Sequence, residues 1–484
     1  MRVLCEGPGF RTPGTIVGLP RGAILKPWKA FLNEPQRHKD HQEKDRKPKE
    51  NYGKIRGLPS RCPWCFGGEN PFSDETMNLT AYCEEQLPET LEILRQMVAI
   101  NSFTENAAGV NRLGELTASV FAPLGFSATF FQASRPSYGR HLALKSPHRA
   151  GAPTLALIAH LDTVFPEDEE RRNAFAWRPE GTRIYGPGTN DIKGGTALIH
   201  LTLSALRHAD PAAFQNANWV ILLNSSEETL SGHFGELCRT ELPADTLACL
   251  LFEADGADDG NFALVAARKG RATFRVEVEG RGAHAGSQHQ RGANAIAQLA
   301  LTLTRLHGLT DYAAGLTVNL GSCQGGTVAN RVPHAARAEL EMRAFSPEVY
   351  QRAKDAILAH NGDGEIRSQS GHPCRVTITV DHETVPWPTN PATEKLLAHW
   401  QETGRSLGLQ VARQERGGLS DGNVLWNYFP TLDGLGPCGD QSHCSEHSAD
   451  GSKVQEWVDT TSFVPKAVLN ATALIRLLAR MARS

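Results

Sequence analysis

His160-Leu161-Asp162-Thr163-Val164 follows directly on the apolar run Thr154 to Ala159, and some thirty residues later comes Gly186-Pro187-Gly188-Thr189-Asn190-Asp191-Ile192-Lys193-Gly194-Gly195. A strand ending in His-x-Asp, then a Gly-rich turn with a carboxylate leading into a helix, is how an α/β sheet presents metal ligands at its carboxyl edge. Further strand ends add Glu227-Glu228 after Trp219 to Ser226 and Glu253 after Leu247 to Phe252, and His443 comes last. Nitrogen and oxygen donors without cysteine suit zinc, with manganese or cobalt as alternatives. Two ions fit better than one, because a shared carboxylate gives each ion a His, a terminal carboxylate and a bridge, with room for a water between them. Adjacent carboxylates also make chemical sense, one held by a metal and the other free to move a proton.

The elements that must position these groups alternate. Helical spacing of Leu87, Leu91, Leu94, Met97 and Val98, and of Val110 to Leu124, precedes strand-like segments at Ala128–Phe131 and His141–Leu144. The pattern then runs strand Thr154–Ala159, helix Gly195–Leu206, strand Trp219–Asn224 and strand Leu247–Phe252. Such alternation implies an α/β fold with a mostly parallel, helix-covered sheet. Past Lys269 the character changes: Thr273–Val278, Thr317–Leu320, Ala336–Arg343 and Arg375–Val380 read as strands, with helices at Ala293–Leu306 and Pro347–His360. We expect an inserted α+β domain, 270–383, with two helices on one face of a four-stranded antiparallel sheet. It would divide the metal-binding domain into 77–269 and 384–484, the second part closing with an amphipathic helix from Pro465 to Met481.

The chain has 484 residues, 40% hydrophobic and 21% charged, enough for two or more domains. Its net charge of -3 argues against a general nucleic-acid binder. Residues 1–61 hold 14 Lys and Arg against 6 Asp and Glu, so the remainder is acidic. Residues 1–76 form a basic extension too poor in apolar side chains to order itself, and are expected to be disordered. Within it Cys62-Pro63-Trp64-Cys65 offers half a zinc knuckle or a redox pair, and Met77, just before the first amphipathic pattern, raises the hypothesis of a start there. No apolar run approaches the roughly 20 residues of a membrane span, so no membrane partner is expected. The 10 cysteines show no framework spacing in the body, which favours reduced thiols and a cytoplasmic location.

Over residues 82–484 these motifs resemble the zinc metallopeptidase family that contains glutamate carboxypeptidases, aminoacylases and succinyl-diaminopimelate desuccinylases, most of all its folate-cleaving glutamate carboxypeptidases. The resemblance implies that His160 is a ligand and that Asp162 orients its imidazole. It implies that Asp191 bridges two zinc ions, one completed by Glu228 and His443, the other by His160 and Glu253. Glu227 becomes the general base. In the inserted domain His284, within Gly282-Ala283-His284-Ala285-Gly286, resembles a histidine that reaches a partner subunit's site and holds the oxyanion. Asn330 and Arg343 resemble residues that bind the substrate carboxylate or the tetrahedral intermediate, and Gly418, in Gly417-Gly418-Leu419-Ser420-Asp421, a loop that admits substrate to the backbone. The family's Phe-Glu-Pro reads Phe252-Glu253-Ala254 here, and His447 lies close enough to His443 to compete for the last ligand position.

The expected activity is dizinc hydrolysis of an amide bond next to a free carboxylate, by a homodimer acting on a small peptide. An N-acyl-amino-acid deacylase is the alternative within the family. Outside the enzymes stands a binding dimer that kept the fold and lost the chemistry, which the presence of Asp191 and Glu227 disfavours.

Overall fold

Thr154–His160 is buried along its whole length, and so is Asn218–Asn224, its parallel neighbour. Strands covered on both faces read as continuous apolar runs rather than alternating ones, which is why both stand out in the sequence. The computed structural model describes residues 74–229, 232–255 and 261–481. The basic extension up to residue 73, with Cys62 and Cys65, lies outside the described residues.

The main sheet has six strands in the order Ser127–Gln132, Arg140–Lys145, Asn218–Asn224, Thr154–His160, Ala248–Leu251 and Thr431–Leu432. The first two join antiparallel and the other four run parallel, so His160, Asn224 and the residues after Leu251 share the carboxyl edge. Helices Asp74–Val98, Lys193–Ala209 and Phe463–Met481 pack against one another beside this sheet and share its principal core. By length and composition the last of them could cross a membrane, yet Phe463, Ala467, Leu469, Ala471 and Leu474 are buried in that core.

A second core lies under a separate antiparallel sheet, ordered Thr317–Gly325, Ala335–Ala344, Gly270–Glu279, Pro373–Thr384 and Gly362–Arg367. Along Gly270–Glu279 burial has period two: Ala272, Phe274, Val276 and Val278 face inward, and Arg271, Thr273, Arg275 and Glu277 stand on the open face. Helices Ala295–His307 and Pro347–Leu358 cover the inner face. Each starts on a sequence-legible cap, with Asn294 Oδ1 accepting from Ala297 N at 3.1 Å and Ser346 Oγ from Val349 N at 3.2 Å. This sheet has five strands rather than the expected four. The extra one, Gly362-Asp363-Gly364-Glu365-Ile366-Arg367, is an edge strand with an irregular register, and its two glycines and three charges hide it from a propensity reading.

Candidate metal centre

Two glycines explain how the ligand loops converge. A Cβ on Gly195, in the first turn of helix Lys193–Ala209, would stand 2.0 Å from the Phe252 carbonyl oxygen, and one on Gly436 would stand 2.5 Å from the same atom. Only glycine lets the helix start and the 434–437 loop close on Phe252-Glu253 from two sides. Asp191 is thereby brought to Glu253, and the chain leading to His443 to both.

Asp191 stands at the middle. Its Oδ1 is 3.0 Å from His160 Nε2, and its Oδ2 is 3.3 Å from His443 Nε2. Glu253 Oε1 lies 4.0 Å from His160 Nε2, and Glu228 Oε2 lies 3.3 Å from His443 Nε2. The structure thus forms two triplets, His160-Asp191-Glu253 and Asp191-Glu228-His443, that meet at Asp191. Two ligands each about 2.1 Å from one zinc at a tetrahedral angle are about 3.4 Å apart, close to these separations. His443 has φ 67°, a left-handed backbone uncommon outside glycine, whereas His447 is exposed and joins neither triplet.

The electrostatics fit cations in both triplets. Burial raises the Glu227 carboxyl well above its ordinary value, and Glu253 to about 8. Burial and the Asp191 charge raise Glu228. Hydrogen bonds to Asp191 and Glu228 push His443 up to about 11. Burial opposes a raised His160, but its bonds to Asp162 and Asp191 win and hold it well above its ordinary range. Glu228 Oε1 is buried with no hydrogen-bond partner among the described residues. Acids crowded this closely need positive charge between them, and protons on the imidazoles are a poor substitute for divalent ions coordinated by the free lone pairs.

Asp162 lies against the His160 ring and does a second job besides. The His160 Nδ1 bond, at 2.9 Å, is to the Asp162 main-chain carbonyl, with the carboxylate Oδ1 at 3.5 Å. The carboxylate also accepts the Glu227 amide at 3.0 Å, the Glu228 amide at 3.3 Å and the Thr104 hydroxyl at 2.7 Å. It fixes the turn that carries both glutamates. Glu227 belongs to neither metal triplet, which leaves its carboxyl free.

The remaining expected residues divide. His284 and Asn330 line one open cleft with Arg331 and His334, apart from the metal triplets. His284 Nδ1 accepts the Gly286 and Ser287 amides, both at 3.1 Å, so its Nε2 carries the proton and is a donor. Arg343 reaches the glycine loop, where one terminal nitrogen donates to the Gly417 carbonyl at 2.9 Å. Its Nε edge is taken by Glu341 at 2.9 Å. The Gly418 carbonyl accepts from Arg268 at 3.1 Å, and Arg268 is itself paired with buried Asp433 at 2.8 Å.

Three supporting residues escape the sequence reading. Glu456 Oε1 accepts the amides of Asn190 at 2.8 Å and Asp191 at 3.1 Å, so it holds the main chain that aims the Asp191 carboxylate. Asn224 donates to Asp421 at 2.8 Å, tying the glycine loop to a sheet strand, and Thr104 steadies Asp162. Glu456 stands just before strand Trp457–Asp459, which pairs with Arg183–Tyr185 immediately ahead of the 186–191 turn. Only that pairing, invisible in one sequence, reveals its role.

The geometry defines a class: an α/β protein with two adjoining residue triplets able to hold metal ions at a sheet edge and a second, separately packed α+β domain. Comparison with known proteins agrees. Residues 266–363 match the M20 peptidase dimerisation domain. The chain is 27% identical over 399 residues to carboxypeptidase G2 of Pseudomonas sp. (strain RS-16), covering 81% of this chain and 89% of the relative. It is 26% identical over 347 residues to acetylornithine deacetylase of Klebsiella pneumoniae (strain 342), covering 68% and 85%. The fold is shared with a tripeptidase from Staphylococcus aureus, with TM-score 0.63, 21% identity and coverage of 81% of this chain and 99% of that one. It is also shared with a dinuclear metal binding peptidase of the M20 family from Bacillus subtilis, with TM-score 0.55, 13% identity and coverage of 82% and 99%. The chain thus resembles M20 metallohydrolases along most of its length, and it is an enzyme.

Proposed function

We propose that this protein hydrolyses an amide bond next to a free carboxylate, as a carboxypeptidase or exopeptidase on small peptides, using two zinc ions. One observation carries the reading: the two oxygens of Asp191 face different imidazoles, each accompanied by its own glutamate. His160, Asp191 and Glu253 would hold one ion, and Asp191, Glu228 and His443 the other; cobalt or manganese suits the same donors. Bound there, the ions supply Lewis acidity toward the scissile carbonyl and toward water.

The chain's own groups do the rest. Glu227, buried and free of both triplets, takes a proton from the attacking water and delivers it to the leaving amine. Asp162 keeps it in place through its main-chain amide. Arg343 meets the substrate carboxylate, and Gly418 lies on the loop beside it. His284, a donor at Nε2, and Asn330 serve the oxyanion from the partner subunit of a homodimer, which accounts for their separation from the metal residues of their own chain.

An N-acyl-amino-acid deacylase is the second reading, favoured by the likeness to acetylornithine deacetylase. Seven unbridged cysteines among the described residues support a cytoplasmic location, which cell fractionation tests. The deciding experiment assays the zinc-loaded protein against C-terminal dipeptides, N-acyl amino acids and folates. Release of a free amino acid from dipeptides or folates supports the peptidase reading, and turnover confined to N-acyl amino acids selects the deacylase. No turnover of any compound, with metal bound, overturns both. Sedimentation equilibrium tests the homodimer, which a monomer at micromolar concentration contradicts.

A further inference from the structure

On the open face of the antiparallel sheet, Arg271 and Arg343 are direct cross-strand partners. Side chains so placed have Cβ atoms about 5 Å apart, and like charges in this arrangement repel. Glu341, two residues along the same face, neutralises Arg343 through its Nε edge. Arg271, half-buried, makes no ion pair among the described residues and only shares the more distant charge of Glu341 with Arg343. On its other side the strand partner is Thr384, uncharged. Lys269, two residues before Arg271, brings a third cation and lies 5.4 Å from the Phe345 ring centre. Burial and the Arg343 charge lower both Lys269 and Arg271 from their ordinary values.

This positive charge stands on the face of the sheet that meets the glycine loop. Arg271 lies close enough to Glu227 to feel its charge. Arg343 beside it is bonded to Gly417, the first residue of a loop that Arg268 holds at Gly418 and Asn224 holds at Asp421. A sheet face that sets two guanidiniums opposite each other, with Lys269 close by and one glutamate paired to only one of them, is arranged for an anion that arrives from outside.

We propose that Arg271 is a specificity-determining residue that closes with Arg343 around the free carboxylate of the substrate, an assignment that rests on the amide-hydrolase reading above. Arg343 alone is poorly placed for a two-pronged grip, because Glu341 already occupies its Nε edge, and Arg271 supplies the donors that remain open.

The test compares zinc-loaded wild-type enzyme with Arg271→Gln and Arg271→Lys on N-acetyl and N-benzoyl amino acids and on the matching carboxamides. In Arg271→Gln, KM for the acids rises about tenfold or more while kcat stays within about threefold, and the preference for acid over carboxamide shrinks by the same factor. Arg271→Lys recovers part of the loss, since it keeps the charge without the fork. Thermal stability of Arg271→Gln equals or exceeds wild type, because the residue's nearest charged neighbour repels it. A KM for the acids within twofold of wild type overturns the assignment and leaves the hydrolase reading standing. So does a drop in Tm that Arg271→Lys restores, since that marks a structural role. Wild-type enzyme that turns over neither member of any pair removes both claims.

Discussion

The Asp162 carboxylate is bonded to the main chain of Glu227, its Oδ1 accepting that residue's amide proton at 3.0 Å. The aspartate of the His-x-Asp motif therefore links the strand that carries His160 to the turn that carries Glu227 and Glu228. Replacing Asp162 with Ala leaves the Glu227 and Glu228 amides and the Thr104 hydroxyl without their partner, at a cost of about 1–3 kcal/mol for each group that stays buried and unpaired. We expect a lower Tm and a fall in kcat of at least about tenfold. Calorimetry and steady-state kinetics on the Asp162→Ala variant check this, and unchanged kcat would show that the turn holds itself.

Glu227 belongs to neither metal triplet. Changing it to Gln keeps shape and hydrogen bonding while removing the base, so kcat should drop about 100- to 10,000-fold with metal content unaltered. Activity close to wild type would move the proton transfer to another group.

Two histidines, His141 buried and His200 half-buried, set a limit on acid stability. Burial lowers both His141 and His200 to about 4, below the ordinary value of 6.5. For a base whose folded value is depressed, the unfolded chain takes up the proton first. The stability is therefore complete above pH 6.5 and is lost as pH falls from there toward 4, by about 3 kcal/mol for each histidine. His200 packs edge-on against Phe121, and its Nδ1 has no hydrogen-bond partner among the described residues, so Leu should replace it at little cost near pH 7.5. Tm measured from pH 7.5 to 4.5 should fall less steeply in His200→Leu than in wild type, and parallel curves would contradict the assignment.

Lys466 and Asp255 form an ion pair at 2.5 Å with both side chains fully buried. Lys466 also donates to the Gly434 carbonyl at 2.9 Å, and Asp255 accepts the Ala263 amide at 2.9 Å, so the pair ties the last helix to the loops beside Glu253. Lys466→Met strands a buried carboxylate and should cost about 3–5 kcal/mol. Adding Asp255→Asn, which keeps an acceptor for Ala263, should recover much of that in denaturant unfolding. A double variant no more stable than the single one would show that packing, not charge, is at stake.

The sequence reveals most where one strand or one turn carries the information. His160, Asp191, Glu228, Glu253 and His443 all follow buried apolar strands or a glycine turn, and the structure brings all of them together. Relations between distant segments are hidden. Glu456 acts on Asp191 through a pairing of two short strands, and Asp162 acts on Glu227 across 65 residues. Arg271 looks like one more exposed strand residue until the register sets it opposite Arg343. The edge strand Gly362–Arg367 is held by its neighbour rather than by local preference, so composition alone does not show it.

The central claim is that Asp191 joins two metal sites, and metal content measured by mass spectrometry on purified, zinc-equilibrated protein tests it most directly. The account predicts two ions per chain in the wild type and loss of both in Asp191→Ala, with the fold retained by circular dichroism. An Asp191→Ala variant that still holds two ions per chain, or a wild-type protein that holds none, would contradict it.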